Sequence, residues 1–290
     1  MCSSLRYRQC MGRNYDYEIS YKETLMNIPS TVGGNTIIGI GTGLIDYPLL
    51  YDGMNDKGLC CSALAFAGNA CYDYKGTSYR KYKLPPYDFV RHVLANFNNV
   101  DEAKDYLEKT DIINLQYNER FPNSDLHWFV CDKDKSMVIE ATTKGLNIYE
   151  NPYDILTNNP PFPQQSSNCN SQNSLVGTYD EPIGIFNTRG TETYGLLGDT
   201  TSMSRFCRGS YLLKCMNGLD NIPFDDVAST FHLLSNLEQP YGATPVGDSY
   251  EYTIYSIVYD MMDLKVYVRT YGSIDVSCHS LDDKSWRREL

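Results

Sequence analysis

Along much of the chain, apolar residues alternate with polar ones or run in short blocks that end in glycine, and this pattern predicts strands. NTIIGIGTG (35–43) is a short apolar run closed by glycines. GLCCSALAFAG (58–68) is small and apolar enough to be buried on both faces. LHWFVCD (126–132) and SMVIEATTKGLNIYEN (136–151) read as consecutive antiparallel strands with turns at KDK and TKG. YEYTIYSIVYDMMDLKVYVRTYG (250–272), rich in Tyr, Val and Ile, predicts a long hairpin.

The helical period is rarer. It appears in YDFVRHVLANF (87–97), TSMSRFCRGSYLLKCMN (201–217), FDDVASTFHLLSNL (224–237) and VDEAKDYLEKT (100–110). In the last of these, Asp101 is the expected N-cap region. Strand blocks interleaved with helix pairs predict a single α+β domain of stacked sheets with helices outside. Residues 160–195 are rich in Pro, Asn, Ser and Gly and read as a long surface loop, or as the rim of a site. GIGTG is no dinucleotide fingerprint, because no helical pattern follows it and the G-x-G-x-x-G spacing is absent.

Composition narrows the function classes. The net charge of −11 offers no basic face for nucleic acid or an anionic membrane surface. No apolar run reaches membrane-spanning length, and the N-terminus lacks an apolar leader, so a cytoplasmic protein is expected. The ten cysteines are scattered, without C-x-x-C or a zinc-type Cys/His spacing. No metal or cofactor is therefore expected, and most of these thiols should be small buried hydrophobes. Cys60 and Cys61 read as buried strand thiols, with a vicinal disulfide as the alternative. His127 and Cys131 can share a strand face, but one pair makes no site. With only four histidines and no G-x-S-x-G elbow, an enzyme of this sequence needs another proton acceptor.

The chain opens MCSSLRYRQCMGRNYDYE. Removal of the initiator would leave Cys2 carrying both a thiol and a free α-amine, a nucleophile and a base on one residue. An α-amine titrates near ~7.7–8.0, which suits that task at neutral pH.

Several segments in order, MCSSL, GRNYDYE, YPLLYDGMNDKGLCCSALAFAGNACY, LHWFVCD, ILTNNPPF, GLLGDTTSMSRF and YEYTIYS, together resemble the choloylglycine hydrolase family. These are N-terminal-nucleophile amidases that include bile salt hydrolases and penicillin V acylases. The resemblance implies a four-layer αββα sandwich of two antiparallel sheets and a homo-oligomer, a tetramer in the family. It implies a Cys2 nucleophile, Arg13 beside the thiol, Asp16 orienting the α-amine, Asn158 in the oxyanion hole and Arg205 as second arginine. Without it, Arg13 reads as a surface ion pair, Asp16 as a turn carboxylate, Asn158 as a turn residue and Arg205 as a helix-surface arginine. Ala65 stands where the family commonly has Asn or Tyr: its backbone N–H is kept, and the polar side chain is lost.

The expected substrate is a small linear amide, a conjugated bile salt held in an apolar groove by Tyr15, Phe66 and residues near Leu126. Penicillin V or another N-acyl amide, such as an N-acyl homoserine lactone, is the alternative. The rival classes are a catalytically silent binding protein, motivated by Ala65, and a thiol redox protein, motivated by the cysteine count.

Overall fold

The computed structural model describes residues 1–30, 33–73, 80–177, 193–282 and 286–290. The N-terminal half is mostly strands: β1 (Cys2–Tyr7), β2 (Cys10–Tyr17), β3 (Glu23–Ile28), β4 (Ile37–Thr42), β5 (Leu50–Asn55), β6 (Cys60–Ala65) and the short β7 (Tyr82–Leu84). Helices α1 (Phe89–Asn96) and α2 (Val100–Leu107) follow, then β8 (Thr110–Ile112), β9 (Leu126–Cys131), β10 (Ser136–Thr142), β11 (Gly145–Glu150) and β12 (Ile155–Leu156). The rest holds α3 (Phe162–Asn173), α4 (Ser202–Asn217), α5 (Asp226–Ser235), β13 (Thr244–Val246), β14 (Ser249–Asp260), β15 (Lys265–Thr270), β16 (Ser277–Ser280) and β17 (Trp286–Glu289).

Two antiparallel sheets result. One runs β12-β1-β2-β14-β15-β16, with β13 on β14; the other runs β11-β10-β9-β6-β5-β4-β3-β17. Side-chain alternation assigns each strand face to a layer. In β6, Cys60 and Leu64 face the space between the sheets, and Cys61 and Ala63 face outward. The outward face of the second sheet packs Trp128, Val130, Ile139 and their neighbours on Phe89, Val93 and Leu94 of α1 and Ala103 and Leu107 of α2. The outer face of the first sheet carries α4 and α5. The layers are therefore helix, sheet, sheet, helix, the α+β sandwich expected. Close packing sets its own sequence demands. A Cβ on Gly12 would lie 2.6 Å from Cγ2 of Thr230, so glycine there lets α5 sit on β2.

Two expectations need correction. Part of the polar 160–195 stretch is helix α3, not loop; residues 178–192 lie outside the described residues. Its Ser and Asn content is poor for a helix, and tertiary packing overrides it. Phe162 packs edge-on to Phe206 of α4, and the Gln165 side chain bonds the Pro160 carbonyl. The N-cap of α2 is Asn99, not Asp101: its side chain accepts the Glu102 N–H at 2.9 Å, and Asp101 lies in the first turn. All ten cysteines are free, and Cys60 and Cys61 are buried strand thiols.

Candidate active site

β1 begins at Cys2 and pairs with β2 so that Cys2 lies opposite Tyr15, Ser3 opposite Asn14 and Ser4 opposite Arg13. Alternation turns Cys2, Ser4, Arg13 and Tyr15 toward the second sheet; the Ser4 hydroxyl reaches that of Ser62 at 2.8 Å. Ser3, Asn14 and Asp16 turn the other way, toward α4, α5 and the chain after α5. The thiol thus sits at the end of a strand, with charged groups on both faces of its sheet.

Arg13 reaches the thiol directly, Nη2 lying 3.7 Å from Sγ. The same nitrogen donates to the Ala63 carbonyl at 2.6 Å, and Nη1 donates to the Tyr51 carbonyl and meets Asp52 Oδ2 at 2.9 Å. Arg13 is 1% exposed and Asp52 is wholly buried. Burial pulls the guanidinium pKa down, but Asp52, with Tyr255 and Cys2 adding to it, outweighs burial and holds Arg13 above its ordinary value. Arg13 is no surface arginine.

Asn158 follows β12 and is oriented by its partners. Its Oδ1 accepts the Cys2 backbone N–H at 2.8 Å and Arg205 Nη2 at 2.9 Å. Two donors on that atom fix the amide flip, so Nδ2 is the nitrogen that donates to the Ala65 carbonyl at 2.8 Å. Ser202 Oγ accepts the Asn158 backbone N–H at 2.8 Å. Asn159 instead bonds the Ala67 carbonyl.

Arg205, on α4 and fully buried, donates to the Cys2 carbonyl at 2.7 Å, to Ser3 Oγ and to the Thr200 carbonyl, and lies 3.9 Å from Asp16. Burial lowers its pKa, with Asp16 and Cys2 opposing. The Asp16 carboxylate accepts from Thr253 Oγ1 at 2.6 Å and Gln239 Nε2 at 3.0 Å. Its backbone carbonyl accepts the Met1 ammonium at 2.9 Å and lies 4.0 Å from the Cys2 thiol. That ammonium also meets Glu251, and burial lowers its pKa against the pull of the Cys2 thiol and Asp16. With Met1 attached, the Cys2 nitrogen is an amide and holds no proton-accepting lone pair.

The other expected residues are placed differently. Tyr15 is buried, stacked between Tyr51 and Tyr255 with the Arg13 guanidinium 5.3 Å from its ring centre. Ala65 lies opposite Leu126 at the ends of β6 and β9, and both are partly exposed. Phe66 is fully buried and stacks on His127 at 4.4 Å. His127 is likewise buried between Glu140 and the Thr157 carbonyl. Glu251, Thr253, Gln239, Ser202 and Asp52 belong to this network and are not among the expected residues. Of these, Asp52 carries a sequence signal, a carboxylate inside the otherwise apolar strand pattern of YPLLYDGMN. Among the described residues no cluster of three or more His, Cys, Asp or Glu is placed to hold a metal ion.

A thiol within reach of a guanidinium, beside an asparagine amide locked by an arginine, is equipped for acyl transfer. Comparison with known proteins agrees. Residues 2–286 match the model for linear amide C–N hydrolases, choloylglycine hydrolase family. A bile salt hydrolase/transferase of Lactiplantibacillus plantarum is 38% identical over 97% of this chain and 93% of its own length. Another, from Clostridium perfringens, is 33% identical over 93% of this chain and 89% of its own. A variant of the conjugated bile acid hydrolase of Clostridium perfringens superposes with a TM-score of 0.89, at 29% identity over 99% of this chain and 96% of that one. The penicillin V acylase of Agrobacterium tumefaciens shares the fold, with a TM-score of 0.75 at 21% identity over 96% of this chain and 86% of that one.

Proposed function

Because the chain belongs to the choloylglycine hydrolase family of linear amide C–N hydrolases, we propose that it cleaves glycine- and taurine-conjugated bile salts, using Cys2 as an N-terminal nucleophile. The observation that carries the reading is the convergence on Cys2 of Arg13, Asn158 and Arg205, residues far apart in sequence. The bile salt hydrolases among the relatives support the substrate class.

The mature chain begins at Cys2, so that its nitrogen is a free amine. That amine takes the thiol proton as Sγ adds to the amide carbonyl of the substrate. The developing oxyanion is held by the second N–H of Asn158 Nδ2, the first being used on the Ala65 carbonyl, and by the Ala65 backbone N–H. The C–N bond breaks, and the amine hands its proton to the departing glycine or taurine nitrogen. Water then attacks the thioester, losing its proton to the same α-amine, and the free bile acid leaves as sulfur recovers its hydrogen. Arg13 steadies the sulfur while it carries negative charge. Arg205 and Asp16 hold the Cys2 backbone and its amine in place.

Tyr15, Ala65 and Leu126 are the proposed substrate contacts; Phe66, fully buried against His127, is not one of them. The cytoplasmic location, the single domain and the homo-oligomeric assembly belong to the same proposal. Among the described residues no helix is long and apolar enough to cross a membrane. Ala65 favours keeping a second substrate class in view, because it matches neither the Asn of bile salt hydrolases nor the Tyr of penicillin V acylases. Incubating the Met1-free protein with taurine- and glycine-conjugated bile salts and with penicillin V separates the two. Release of taurine or glycine supports the reading, and cleavage of penicillin V alone overturns it.

A further inference from the structure

The geometry points to Asp52 as a positioning residue for the hydrolysis, one that acts on the Cys2 thiol only through Arg13. A carboxylate in the middle of β5 is out of place by pattern. Its cross-strand partners are Ile40 and Ser62, and its face looks into the packed space between the sheets. An ionised side chain there is costly unless its countercharge and hydrogen bonds are complete. Here they are. Oδ2 meets Arg13 Nη1 at 2.9 Å and accepts the Tyr255 hydroxyl at 2.6 Å, while Oδ1 accepts the Tyr259 hydroxyl. Both phenols come from β14, in the opposite sheet, so the carboxylate is tied across the sandwich at two points and its plane is fixed.

That fixed plane sets the guanidinium. Arg13 hangs on a flexible stem, and only acceptors decide where its planar head lies. Backbone carbonyls of Tyr51 and Ala63 contribute, but among the described residues Asp52 is the carboxylate that pairs with it, at Nη1 rather than at the nitrogen that faces the thiol. Tyr255 also stacks on Tyr15 at 5.1 Å, and Tyr15 lies opposite Cys2 in the register, so the clamp and the thiol share one packed wall. The Gly39 position shows how tightly β5 is held: a Cβ there would come within 2.3 Å of the Asp52 carbonyl. Burial holds the Asp52 carboxyl above its ordinary value, and Arg13, Tyr255 and Tyr259 oppose that rise. Asp52 itself makes no contact with the sulfur; its effect on catalysis passes through the guanidinium.

This inference rests on Cys2 being the nucleophile, and its test is separable from that reading. Full-length, Met1-free protein is prepared as wild type, Asp52→Asn, Tyr259→Phe, Arg13→Leu and the Asp52→Asn/Arg13→Leu double variant. Two readouts are taken: bile salt kcat and KM, and the rate at which iodoacetamide labels Cys2 at neutral pH, followed on the N-terminal peptide. Asp52→Asn is expected to lower kcat about 100-fold with KM changed by no more than about threefold. Cys2 labelling should slow about tenfold or more, and Tyr259→Phe should move both readouts the same way by about fivefold. In the Arg13→Leu background, Asp52→Asn should add nothing to either readout. Wild-type kcat and labelling in folded Asp52→Asn, or in Tyr259→Phe if the former does not fold, overturn the proposal. So does a double variant whose losses multiply, which would make Asp52 a residue of the fold alone. Absence of bile salt cleavage by the wild type would instead overturn the functional reading, and the labelling rates would still judge Asp52.

Discussion

The side-chain oxygen of Asn158 accepts the backbone N–H of Cys2 at 2.8 Å, joining residues 156 positions apart in sequence. The same side chain turns its nitrogen toward Ala65, so one amide both holds the start of β1 and supplies a donor beside the thiol. The two roles can be separated. Asn158→Asp keeps an acceptor for Cys2 and Arg205 but removes the donor. It should lower kcat on a taurine-conjugated bile salt by about 100- to 1000-fold, the cost of one oxyanion donor, about 2.7–4 kcal/mol. Steady-state kinetics on the folded variant checks this.

Arg205 is expected to matter for stability as well as rate. It is fully buried and donates to the carbonyls of Cys2 and Thr200, Ser3 Oγ and Asn158 Oδ1. Arg205→Leu leaves those acceptors and Asp16 without their cation. Urea unfolding should show a loss of about 3–5 kcal/mol, as for breaking other buried charge networks. Catalysis should fall with it, because Cys2 and Asn158 lose a shared anchor.

Ala65 is the position at which substrate choice should be adjustable. It is partly exposed, opposite Leu126, with its carbonyl tied to Asn158. Ala65→Asn, which adds a polar side chain at the scissile amide, should raise kcat/KM for conjugated bile salts by roughly tenfold. Ala65→Tyr should shift the ratio of rates toward penicillin V by a similar factor. Parallel assays of the three proteins on both substrates decide the point.

A pH effect on stability follows from His92. Its Nε2 is buried without a hydrogen-bond partner among the described residues, and the ring packs on Phe97 and Tyr106. Burial lowers its folded-state pKa below 6.5, the unfolded value, so the unfolded chain binds the extra proton first. The contribution is present above the unfolded pKa and is lost as pH falls below it. Melting temperature should therefore decline on acidification below about pH 6.5, and His92→Phe should flatten that part of the curve. Thermal melts of both proteins across this range are the check.

The legible part of this fold was the part that local pattern controls. Tyr, Val and Ile alternation marks β14 and β15, and the apolar spacing of FVRHVL marks α1, because each buries one face on a sheet. The site was legible where chemistry is unusual in one place, a cysteine after the initiator, and where the resemblance supplied the partners. The rest depends on juxtaposition. Helix α3 is written in Ser, Asn and Gln, and tertiary contacts, among them those of Phe162 with Phe206 and of Gln165 with the backbone at Pro160, hold it as a helix. The partners of Asp16, Thr253 and Gln239, lie 237 and 223 residues away, and nothing local marks either as belonging to an active site. Asp52 is similar: a carboxylate within an apolar strand is visible, but the two tyrosines that hold it arrive from the opposite sheet.

The central claim is that a free α-amine and a thiol on Cys2 act together. Intact-mass analysis of a preparation that cleaves conjugated bile salts tests it most directly, with Cys2 labelled by iodoacetamide in a parallel sample. The expected result is a chain shorter by Met1, whose cleavage of bile salts ends in step with a single adduct on Cys2. Full activity in a chain that still carries Met1, or in one alkylated at Cys2, would contradict the account.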